Sequence, residues 1–77
     1  MNPRTPRITS RELIRALKKA GFEEQRQRGS HLHLKRISDG KRVTIPVHAH
    51  RTLPIGTLKG ILRDAGITVD ELRGLLK

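Results

Sequence analysis

RGSHLHLKRISDGKRVTIPV, residues Arg28 to Val47, is the stretch that decides the fold. Two turn-forming pairs, Gly29-Ser30 and Asp39-Gly40, bracket a run that alternates in polarity. From His31 to Ile37 the alternation predicts a strand: Leu32 and Leu34 point one way, and His31, His33 and Lys35 the other. Asp39-Gly40 is a strong hairpin signal because both positions tolerate positive φ. Val43, Ile45 and Val47 alternate in the strand that follows. A two-residue loop at Asp39-Gly40 sets Leu34 opposite Ile45 and Leu32 opposite Val47, with every apolar residue on one face. A three-residue loop would put Lys35 opposite Ile45 and spoil that face. The expected register also places His31 opposite His48 and His33 opposite Pro46. The sheet then has a dry face for helices and a wet face carrying His31, His33, Lys35, Thr44 and His48.

Outward from this hairpin, Phe22 to Arg28 is polar apart from Phe22 and reads as an edge strand joined through Gly29-Ser30. Upstream, Thr9 and Glu12 have capping-box spacing, and Ile8 and Leu13 stand where a hydrophobic staple would. Leu13, Ile14, Leu17 and Ala20 form a stripe at helical period, and Gly21 is a stop. Downstream, His48 to Gly56 reads as a loop and Thr57 as the start of a second helix. Leu58, Ile61, Leu62 and Ala65 are its stripe, and Gly66 is its stop. Thr68 and Glu71 repeat the capping-box spacing ahead of a short last helix with Val69, Leu72, Leu75 and Leu76. The order predicts an α+β, two-layer α-β-β-β-α(-α) domain: a three-stranded antiparallel sheet with helices on one face. Residues 1–8, with Pro3, Pro6 and two arginines, read as a basic flexible arm, and residues 9–77 as the single domain.

Composition bounds what such a domain can do. A 77-residue chain buries only about 60–65% of the surface its unfolded form exposes, which leaves no room for a deep substrate cavity. Lys and Arg number 17 against 7 Asp and Glu, a formal charge of +10. That charge on a small body attracts polyanions before any contact forms, nucleic acid first and anionic membrane second. No segment reaches the ~18 apolar residues of a membrane span. Met1 to Arg7 lacks the apolar region of a signal peptide, so a cytoplasmic location is expected. The absence of Cys excludes a disulfide framework and a thiolate metal site.

His31 is the candidate for chemistry. A lone exposed histidine is ordinarily a bystander, but this one follows a Gly-Ser turn, lies on the wet face and has Arg26, Arg28, Lys35 and His48 for neighbours. Cleavage of RNA by transesterification needs a base for the 2′-hydroxyl, an acid for the leaving 5′-oxygen and cations for the phosphorane. RNA supplies its own nucleophile, so neither a nucleophilic side chain nor a deep pocket is required. Imidazole titrates near neutral pH and suits either proton transfer. Arg26 and Arg28 can hold phosphates through paired N–H groups. His31/His33 and His48/His50 have the spacing of metal-ligand pairs, but no Cys or carboxylate completes either set, and no metal or other cofactor is expected. With one Phe and no Tyr or Trp, the sheet lacks the platform on which single-strand binders stack bases. Contacts to phosphates and 2′-hydroxyls fit better. A non-catalytic RNA-binding module on the same fold is the alternative reading.

At this point the chain resembles the HicA toxin family of bacterial toxin–antitoxin systems. The resemblance is carried by Arg7-Ile8-Thr9-Ser10-Arg11-Glu12, Ala20-Gly21-Phe22, Arg26-Gln27-Arg28-Gly29-Ser30-His31, Val43-Thr44-Ile45-Pro46-Val47-His48, Gly56-Thr57-Leu58 and Ile61-Leu62. It implies a fold like that of a double-stranded-RNA-binding domain. It implies an RNA endonuclease that arrests growth by degrading messenger RNA, and neutralisation by a HicB-type antitoxin. The family's catalytic histidine falls on His31, with Gly29 and Ser30 as its local motif. Arg26, Arg28, Gly29, Ser30, Lys35 and His48 are the expected RNA contacts. Family members often carry an aromatic or a second histidine shortly after the catalytic one; here His33 is present, and Leu32 and Leu34 stand in place of an aromatic.

Overall fold

The computed structural model describes residues 5–48 and 51–77. In chain order the elements are α1 (Ser10–Lys19), β1 (Phe22–Arg28), β2 (His31–Arg36), β3 (Arg42–Pro46), α2 (Ile55–Ala65) and α3 (Val69–Leu75). The three strands form one antiparallel sheet in the order β1-β2-β3. The helices cover one face of it, which is the α+β two-layer arrangement expected from the pattern.

Local chemistry sets the helix ends. Thr9 and Glu12 form the capping box of α1: the Thr9 hydroxyl accepts from the Glu12 N–H, and the Glu12 carboxylate accepts from the Thr9 N–H. Thr68 and Glu71 do the same for α3. Both boxes satisfy donors that would otherwise lack partners at a helix start. α2 begins at Ile55 rather than Thr57, because Pro54 supplies a pre-set φ of −57° and no side-chain cap is used. Gly66 ends α2 in the left-handed conformation, φ +69°.

Leu13, Ala16 and Leu17 of α1 meet Leu32, Leu34, Val43 and Ile45 of the sheet and Leu58, Ile61 and Leu62 of α2 in one core. Ile8 is buried beside Leu13, which completes the staple. It is fastened by a hydrogen bond from the Leu53 N–H to the Ile8 carbonyl, 2.8 Å, next to a bridge between Thr9 and Thr52. Of the expected arm, residues 1–4 lie outside the described residues.

The β2–β3 register differs from the expected one. Leu34 faces Val43, Leu32 faces Ile45, His33 faces Thr44 and His31 faces Pro46. The loop is Ile37 to Gly40, closed by bonds from the Arg36 N–H to the Lys41 carbonyl and from the Gly40 N–H to the Arg36 carbonyl, 2.8 and 2.7 Å. Asp39 explains it. Its carboxylate accepts from the Arg36 guanidinium and from the Lys41 N–H, an arrangement a two-residue turn does not offer. Ile37 therefore leaves the strand and stands exposed. The slip is two residues, an even number, so each side chain keeps its face.

β1 carries a second irregularity. Arg28, Gln27 and Arg26 pair with His31, Leu32 and His33; Glu24, Glu23 and Phe22 pair with Leu34, Lys35 and Arg36. Gln25 is the extra residue of a β-bulge.

Candidate functional site

The face of the sheet away from the helices is built in three rows. Arg28, His31 and Pro46 are cross-strand partners in the first, Arg26, His33 and Thr44 in the second, and Glu23, Lys35 and Arg42 in the third. Each position falls there by the two-residue period of a strand, and on β1 the bulge at Gln25 resets that period.

The tight turn at Gly29-Ser30 brings the first row together. Gly29 has φ +58°, the first-position conformation that a two-residue hairpin needs and that an L side chain rarely adopts. Nothing lies within 4 Å of where a Cβ would stand, so backbone conformation rather than space calls for glycine here. The Gln27 side-chain amide donates to the Gly29 carbonyl at 3.0 Å, and the Val47 N–H donates to the Ser30 carbonyl at 2.6 Å. The end of β3 is thereby tied to the turn. His31 is exposed, with Arg28 as its partner on one side and Pro46 on the other.

The second row is more enclosed. His33 is half-buried, and its Nδ1 lies 3.0 Å from Thr44 Oγ1. Arg26, His33, Lys35, Arg42 and Thr44 line an open depression of about 600 Å³, and Asp64 of α2 lines it with them. Three cationic side chains at one concavity concentrate positive potential there. His31 lies outside that lining.

His48 is exposed and does not face His31; the register gives that place to Pro46, because the hairpin loop is longer than expected. It lines a smaller groove of about 400 Å³ with Pro46, Arg51 and Thr57. The bond between Val47 and Ser30 keeps it near the turn. His50, the other half of its expected pair, lies outside the described residues. At the floor of this groove Ser10, 2% exposed, donates to the Pro46 carbonyl at 2.6 Å and joins the start of α1 to the end of β3.

The structure thus brings Arg26 and Lys35 to His33, sets Arg28 beside His31, and leaves His48 on a neighbouring groove. Arg42 is a member of this face that the sequence reading passed over. Its alternation with Thr44 and Pro46 was the available signal. Among the described residues no three His, Asp or Glu side chains converge in a metal-binding group. Nor is any helix there long and apolar enough to cross a membrane.

No curated protein matches the chain. Residues 10–67, from the start of α1 to just beyond α2, match the family model described as the HicA toxin of bacterial toxin–antitoxin systems. That match takes in the whole sheet and both turns that build the wet face, and the chain belongs to the HicA toxin family.

Proposed function

We propose that this toxin-family chain is a metal-independent endoribonuclease that degrades messenger RNA, with His31 as an essential proton-transfer residue and a HicB-type antitoxin as its inhibitor. The observation that carries the reading is His31 at the exposed end of the sheet, with Arg28 beside it and Arg26, Lys35 and Arg42 in the rows behind. A phosphodiester laid along these rows meets an imidazole at its reacting oxygens and arginine N–H groups at its non-bridging oxygens. Those are the groups that stabilise a phosphorane. The face is open and shallow, which suits an extended polymer better than a small molecule. Gly29 and Ser30 keep the backbone beside His31 accessible, and Arg51, which lines a groove with His48, extends the cationic surface past the end of β3.

Induction of the chain alone in bacteria is the direct test. Growth should stop and messenger RNA should shorten, whereas His31→Ala, with unchanged circular dichroism and unfolding temperature, should permit growth. A folded His31→Ala protein that remains as toxic would leave the non-catalytic RNA-binding reading in its place.

A further inference from the structure

We propose that His33 is a second catalytic imidazole, held in place by Thr44, and that it divides the two proton transfers of RNA cleavage with His31. The inference rests on the endoribonuclease reading above. Two residues apart on β2, the two histidines share the wet face, and their Cα atoms are spaced by two strand rises, about 7 Å. In-line displacement places the attacking 2′-oxygen and the leaving 5′-oxygen on opposite sides of the phosphorus. Two proton-transfer groups must then flank the phosphate rather than share one side of it.

His33 differs from His31 in how it is held. Its Nδ1 is engaged by Thr44 Oγ1 at 3.0 Å, which fixes the ring and leaves Nε2 directed away from that contact. In the tautomer that donates its Nδ1 proton to the threonine oxygen, Nε2 is left bare to take a proton, and once protonated it can give that proton up. The charged groups around it are Arg26 opposite, Lys35 on the same strand, Arg42 and Asp64 in the same depression, and Glu23 in the third row. Arg28 beside His31 and Arg26 beside His33 are placed to receive the non-bridging oxygens of a phosphate seated between the two histidines, and Lys35 and Arg42 stand one row beyond, toward the next phosphate. In the reaction one imidazole takes the 2′-hydroxyl proton and the 2′-oxygen bonds to phosphorus. The bond from phosphorus to the 5′-oxygen breaks, and the other imidazole, entering as the cation, protonates that oxygen. A 2′,3′-cyclic phosphate and a 5′-hydroxyl result, and the histidines exchange their protons with water.

The test compares the full-length wild type, His31→Ala and His33→Ala on two RNAs. One is ordinary; the other carries sulfur in place of the 5′-oxygen at the cut, a leaving group that needs no proton. On ordinary RNA each variant should lose about 100- to 10,000-fold in rate. On the sulfur-bridged RNA just one of the two should recover, and that variant is the one lacking the general acid. The pH–rate profile of the wild type should show two limbs, and each variant should lack a different one. Thr44→Val should weaken the His33-dependent limb, and Thr44→Ser should retain it. Full activity of His33→Ala overturns the proposal, as does recovery of both variants or of neither. A wild type that cleaves no RNA sinks the endoribonuclease reading itself, a separate outcome.

Discussion

Phe22 and Arg28 lie on opposite faces of one strand although they stand an even number of positions apart along it. In a regular strand they would share a face. The bulge at Gln25 reconciles two demands: Phe22 is needed in the core, where it is 2% exposed, and Arg26 and Arg28 are needed beside the histidines. One inserted residue satisfies both.

Deletion of Gln25 should therefore be tolerated. It leaves Glu24 opposite Leu34 and Arg26 opposite His33 as consecutive pairs, and a regular strand then keeps Phe22 in the core and Arg26 and Arg28 beside the histidines. Thermal unfolding and RNA titration of the deletion variant should both stay near the wild-type values. Expulsion of Phe22 would instead cost about 3–5 kcal/mol, as truncation of a buried Phe does. A loss of that size, or a fall in RNA affinity, would show that the bulge does more than reconcile the two faces.

Arg36 supports the opposite side of the sheet. Its guanidinium donates to the carbonyls of Ala20 and Ala65, at the C-terminal ends of α1 and α2, and to the Asp39 carboxylate, and it lies over the Phe22 ring. Helix C-termini are electronegative and short of donors, so one planar fork suits both. Arg36→Lys keeps the charge but not the fork, and should destabilise the fold by about 1–3 kcal/mol. Chemical denaturation measures it; no change in midpoint would mean that the carbonyls find water instead.

Acid should weaken the same region. Hydrogen bonds from Arg36, and then from the Lys41 N–H, hold the Asp39 carboxyl below the usual carboxylate range. The Thr68 N–H, followed by its hydroxyl, does the same for Glu71. With the folded-state values depressed, the stabilisation is complete above the unfolded values, near 4, and is lost as pH falls through the folded ones. Unfolding temperature should drop below about pH 4, and less steeply in Asp39→Asn. Identical acid profiles for the two proteins would contradict this.

Short-range chemistry made much of this legible in the sequence. Both capping boxes, the Gly29-Ser30 turn and the Leu32, Leu34, Val43 and Ile45 stripe depend on neighbours a few residues away, and the structure has them all. The β2–β3 register was missed because Asp39 answers to Arg36, whose position is set by two distant helix ends. The faces survived, since the slip was even. The bulge at Gln25 has no local signal: it arises from the conflict between Phe22 and the arginines, which appears only once both faces have owners. His33 was placed on the wet face, but its contact with Thr44 depends on the register that was misread.

Cleavage should need no added metal and should leave a cyclic phosphate on the 3′ side. In the proposed mechanism the 2′-hydroxyl is the nucleophile and imidazole the proton carrier, so that chemistry calls for nothing more. Activity should persist in EDTA and vanish on RNA with a single 2′-deoxy position at the cut. Loss on chelation, or cutting at the deoxy position, would refute the mechanism.

RNA binding should weaken steeply with salt, each neutralised phosphate adding about −0.7 to the slope for single strands. Removing the charge of Arg26 or Arg28 should reduce the slope by about that amount. Removal at Lys77 should not, because it follows α3 on the helical side, where its carbonyl accepts from Lys19. Equal slopes for the three variants would show that the wet face does not bind RNA.

The antitoxin should cover the His31 face and be acidic where it does so. A toxin-family chain of charge +10 must be held silent until needed, and on the proposed ribonuclease reading the direct means is to occlude the rows of Arg28, His31, Lys35 and Arg42. Opposite potentials would speed encounter, and apolar anchors would supply most of the affinity. Exposed Ile37, at the end of the β2–β3 hairpin, is a place for such an anchor. Docking on the helices, with inhibition at a distance, is the competing arrangement. Hydrogen exchange of the complex separates them: protection should rise from Arg28 to Lys35 and near His48. Protection confined to α1 and α3, with the strand amides unchanged, would sink the occlusion model.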